Sequence, residues 1–120
     1  MNELEKKKEA LRNIVEYNAK LENGIENLVY ELRTDEKEDT IEFLNTVVKG
    51  VNWVIEVTNL IMDFLNSDKQ RIGKEEMNEK IKVLNKAISG KEKEEIANVF
   101  ENDILTFLKC LDSAEEELCR

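Results

Sequence analysis

The side chains able to do chemistry in this chain are nearly all carboxylates. It holds 27 Asp and Glu, two Cys and no His. The lack of His removes Ser-His and Cys-His nucleophilic catalysis, His-ligated zinc, and the di-iron centre built from Glu-x-x-His helices. A carboxylate-only Mg²⁺ site is the chemistry that remains, since hard cations take oxygen ligands. Its densest candidate is Glu75, Glu76 and Glu79.

Those three residues spell E-E-x-x-E. The run resembles the first half of the motif in all-helical nucleotide pyrophosphohydrolases of the MazG type, which implies a carboxylate-metal nucleotide hydrolase. The second half, E-x-x-D on a following helix, is absent, and Glu101 and Asp103 have the wrong spacing to share a face. A chain this rich in Glu produces such a triplet without a site, and half a motif is weak support for an activity. Helical ribonucleases of the HEPN type need a His. Secreted hairpins of the WXG type need a Trp-x-Gly, whereas here Gly50 precedes Trp53. No glycine-rich phosphate loop occurs. The expectation is a protein that is not an enzyme and uses no metal or cofactor, with the hydrolase as an alternative.

Charge and thiols narrow the setting. Net charge is -9, which argues against phosphate-backbone binding and so against nucleic acid. Cys110 and Cys119 fall nine residues apart on one expected helix. That spacing is about 13 Å of rise, on opposite faces, beyond disulfide reach. They read as free thiols of a reducing compartment. Met1 to Leu11 is charged and lacks the apolar core of a signal peptide. Together these give a cytoplasmic expectation, with no membrane partner.

Residues 1–120 read as one all-α domain, because the chain has no Pro, four Gly and long helical periodicities. The most apolar stretch is Val47–Leu65. On a heptad, Glu42, Lys49, Glu56 and Asp63 form one line, and Asn45, Asn52, Asn59 and Asn66 form the next. The other lines are mostly apolar, which predicts a helix buried on several sides. Charges recurring every second turn argue against a membrane span. The asparagines serve either as a solvated edge or as a hydrogen-bonding seam to another helix.

Four helices follow from the periodicity. The first covers 2–33, with a seam of Leu4, Leu11, Ile25 and Leu32 beside Ile14, Leu21 and Leu28, and Asn18 set into it, either exposed or as a register pin. The second runs from about Glu36 to Asn66, opened by Asp35 and Glu38 at capping-box spacing. Lys74–Ser89 is a short third helix, stopped by Gly90, and the last spans 91–118. The fold class is an antiparallel helical bundle of three long helices and one short helix, with coiled-coil-like packing.

The short third helix leaves the C-terminal halves of helices two and four without a full-length neighbour. Either the 67–73 linker runs extended for about 20 Å, or helix four overshoots the bundle. Both place an apolar groove at Trp53, Val57, Leu60 and Phe64 of helix two and Phe107, Leu108 and Leu111 of helix four. Gly50 would let another helix approach. These residues also fit ordinary core. The expected function is an acidic helical protein-interaction module that buries an amphipathic partner helix or a second copy of itself, a chaperone-like role being one form of this. A purely structural homodimer is the alternative.

Overall fold

The computed structural model of the protein describes residues 2–34 and 36–119. Its elements are α1 (Glu3–Thr34), α2 (Thr40–Leu60), α3 (Met62–Leu65), α4 (Lys74–Gly90), α5 (Lys93–Val99) and α6 (Leu105–Leu118). Five residues of π-helix, Phe100–Ile104, join α5 to α6 into one rod. The fold is the expected all-α antiparallel bundle, with no strand among the described residues.

α1 is the central rod, lying against α2 on one side and against α5–α6 on the other. Its direction relative to α2 is fixed by Lys7 on Asp63, Tyr17 on Trp53 and Glu31 on Thr40. Against the last rod it runs antiparallel too, through Arg33 on Asn98 and Glu101 and Asn18 on Leu108 and Asp112. α1 buries Leu11, Ile14, Leu21, Ile25, Leu28 and Leu32, the stripe that its heptads predict. Its first turn is held by Asn2, whose Oδ1 accepts the Glu5 N–H at 2.8 Å, while Leu4 stays half exposed.

The second helix departs from expectation at both ends. Asp35, half of the expected capping box, lies outside the described residues. The helix begins at Thr40, and Asp39 before it makes no side-chain cap bond. The fully buried Thr40 hydroxyl does the stitching instead. It accepts the Lys37 N–H and donates to Glu31 Oε1, both at 2.8 Å. At the other end the helix breaks at Ile61 (φ -115°, ψ 18°), whose N–H is shared between the Val57 and Thr58 carbonyls. The break turns Ile61, Phe64 and Leu65 inward, and all three are buried.

The linker does not run extended. Asn66 Oδ1 accepts the N–H groups of Arg71 and Ile72, at 2.8 and 3.0 Å, and its Nδ2 donates to the Ile72 carbonyl. One asparagine therefore closes the loop on itself. Arg71 fastens it to the bundle, donating to the Leu65 carbonyl at 3.1 Å, to Asp68, and to Glu117 Oε1 at 3.2 Å. Ile72 drops into the core. α4 then packs along α5 and the π-turn. Gly90 is the last helical residue, and the left-handed conformation after it falls on Lys91 (φ 57°, ψ 28°).

Candidate functional site

The seven residues expected to form a groove do not form one. Phe64, Phe107, Leu108 and Leu111 are buried in a single core with Ile61, Leu65 and Ile72. The gap inferred at the ends of the second and last helices is closed by the chain's own break at Ile61 and by the Asn66 loop. Trp53, Val57 and Leu60 remain at the surface, with Val57 half buried, Trp53 40% exposed and Leu60 78% exposed. α2 is thus buried on one face, through Leu44, Val47, Val51, Val54 and Thr58, and not on several sides. Ile41 on its flank is 54% exposed, and Val48, Ile55 and Met62 are half buried.

Trp53 is held by a residue outside the expected set. Tyr17 of α1 meets it edge-to-face, with ring centroids 5.2 Å apart and planes at 76°. Such pairs contribute beyond the area they bury. Gly50 makes room for this arrangement. A Cβ there would overlap the Tyr17 hydroxyl and come within 3.1 Å of Leu21 Cδ1. The close approach at Gly50 is therefore made by α1 of the same chain. The antiparallel register of α1 on α2 is the signal that links Tyr17 to Trp53. It cannot be read from either helix alone.

The resulting face has a definite relief. Thr46, Trp53 and Leu60 lie on one heptad line of α2. Around Thr46, Gly50 and Trp53 is a shallow hollow, walled by Tyr17 and Lys49. Leu60 stands proud two heptads further on. Lys49 and Glu56, both exposed, flank Trp53 on the adjacent line. Asp63 ends that line and is bonded by Lys7 Nζ at 2.7 Å, which holds its carboxyl below the ordinary range.

The asparagine line splits by role. Asn45, Asn52 and Asn59 are exposed, and Asn66 closes the linker. The pin is Asn18, fully buried, with Nδ2 donating to the Leu108 carbonyl at 3.2 Å and to Asp112 Oδ1 at 3.0 Å. Cys110 and Cys119 are free and half buried. Burial raises the Cys119 thiol above its usual range, which lowers its reactivity. Glu75, Glu76 and Glu79 are exposed on α4. Among the described residues no three His, Cys, Asp or Glu side chains gather as a metal site. No described helix is long and apolar enough to cross a membrane.

Fold and surface together define a small all-α bundle with a knob and a hollow on one helix pair. Residues 9–113 match the family described as a domain of unknown function, DUF8042, and the chain belongs to that family. No curated protein and no solved structure is detectably similar to it.

Proposed function

We propose that the protein is a non-enzymatic interaction module of the cytoplasm that pairs with a second copy of itself through the outer face of α1 and α2. The observation that carries this reading is the relief of α2. Its most exposed large apolar side chain, Leu60, and a hollow at Thr46–Gly50 lie on the same line, with Trp53 midway. A two-fold axis beside Trp53, perpendicular to α2, sets Leu60 of each copy into the hollow of the other. Isologous contacts of this kind require a self-complementary patch. The charges obey the same symmetry, because the axis places Lys49 of one copy against Glu56 of the other, twice. Asp63, which the axis would bring toward Glu42, is already engaged by Lys7 of its own chain. At 1.5 Å per residue α2 is about 31 Å long. With α1 beside it at about 10 Å the face reaches roughly 600 Å² per copy, near the lower bound for a specific interface.

A charge exchange tests the geometry. Lys49→Glu should dissociate the dimer, because it sets two acids against each other across the axis. Lys49→Glu with Glu56→Lys should restore it. Failure of the double variant to recover dimer mass in sedimentation equilibrium would remove this axis. A chain that stays monomeric throughout would shift the reading to a chaperone-like module that takes the amphipathic helix of another protein.

A further inference from the structure

We propose that the protein also binds a small amphiphile, an aliphatic chain with a single anionic head, in a pocket at the other end of α2. The end of α1, the start of α2, the end of α4 and the start of α5 meet there without closing. They leave a volume of about 470 Å³. This lies within the ~300–1,000 Å³ range of small-molecule sites. Its walls are aliphatic, supplied by Leu32, Leu44, Ile88 and Ile96, and Ile41 stands exposed at the rim. The opening exists because α4 packs on α5 and the π-turn and leaves that flank of α2 bare.

The rim fixes the sign of the head group. Three charged side chains line it: Glu36, Lys91 and Lys93. Glu36 and Lys93 pair with each other. Lys91 makes no ion pair with any described residue, and among the described residues the lining holds two ammonium groups to one carboxylate, on a chain of net charge -9. Lys91 adopts a costly backbone conformation. It sits in the left-handed region, which a glycine would occupy freely, while Gly90 beside it is helical. Branched aliphatic walls suit a methylene chain, and a wet, positive mouth suits a carboxylate, sulfate or phosphate head.

The test uses the intact chain and three probes: decanoate, decyltrimethylammonium with the same chain and the opposite head, and acetate with the head alone. Methyl NMR follows Ile41, Ile88 and Ile96, and a thermal-shift titration gives affinity. Decanoate should shift those methyls and raise Tm, acetate should do neither, and the cationic probe should bind more weakly. Lys91→Gly suits the same φ, so it keeps the fold while removing the charge. It should weaken decanoate about fivefold, the factor of one partly exposed charge pair, and leave the cationic probe unchanged or tighter. Decyl sulfate and decyl phosphate then rank the head groups. Decanoate shifts confined to other methyls, equal binding of the two decyl probes, or no effect of Lys91→Gly would each overturn the proposal. It does not depend on dimerisation, and Leu60→Glu should leave decanoate binding intact.

Discussion

Between α1 and α6, Glu22 faces Asp112, one turn along from Asn18. Burial first, then the Asp112 contact and charge, push Glu22 up to about 7; Lys109 opposes this and Glu26 adds to it. A folded-state value above the unfolded one means that the native chain holds the proton more tightly. The stability it contributes is full below about 4.5 and is lost as pH rises through about 7. Asp63, Asp68 and Glu117, lowered by Lys7, Arg71 and Lys69, act in the opposite sense and lose their contribution as pH falls below the ordinary carboxylate range. Urea unfolding should therefore show greatest stability at mildly acidic pH, and Glu22→Gln should flatten the decline toward neutrality. Asn18 belongs to the same seam, with Oδ1 buried and unpartnered. Asn18→Ala should cost roughly 1–3 kcal/mol, since it strips a donor from Asp112 and leaves a void. Asn18→Leu should cost less, because its side chain fills the space that Ala leaves empty. An equal loss in both variants would show that the hydrogen bonds, and not the space, set the energy. That Asn18 interrupts an apolar seam is legible in the sequence; that it is a pin and not exposed is decided by its burial. Its pairing with Asp112 is not legible, because that depends on the register between rods 90 residues apart.

At the scale of elements, helix type and faces are legible wherever periodicity alone decides them. α1, α4 and the last rod fall within a few residues of expectation. The second helix does not, because its ends are set by tertiary partners. Thr40 starts it by reaching Glu31, and the core ends it by drawing in Phe64 and Leu65. An extended loop after it was one of two ways to let the short third helix span the bundle, yet one Asn66 side chain supplies three turn bonds. Two substitutions test the local backbone. Lys91→Gly should stabilise the chain by about 1 kcal/mol, measured by thermal unfolding, because it relieves a left-handed non-glycine residue. A loss of stability would mean that the Lys91 side chain contributes more than its φ costs. Gly50→Ala should change stability little, since the helix propensity gained offsets the overlap with Tyr17, the mobile end of a surface side chain. It should instead displace Tyr17 from the Trp53 edge and fill part of the hollow. The Trp53 emission should then move to longer wavelength in the monomer, and an unchanged spectrum would contradict the role given to Gly50.

Across the whole molecule, the bundle extends 47 × 25 × 18 Å, with α1 at its centre and α2 as an outer rod. That placement decides how much of the candidate surface survives. Being apolar nearly all round, α2 was expected to have neighbours on several sides, and the chain supplies them on one. Leu108 and Leu111 share helical periodicity with Leu60, so sequence alone could not separate core from surface; position in the bundle does. The central claim is that the Leu60 knob and the Thr46–Gly50 hollow join two copies. Because Leu60 is 78% exposed, a charge there should leave the monomer folded. The most direct measurement is sedimentation equilibrium of the wild type and Leu60→Glu across micromolar to millimolar concentration, with circular dichroism alongside. The account predicts a wild-type mass that rises toward twice 14.0 kDa and a Leu60→Glu mass that stays at 14.0 kDa, with equal helix content. A wild-type mass that stays at 14.0 kDa over that range, or a Leu60→Glu chain that dimerises as well as the wild type, would contradict it.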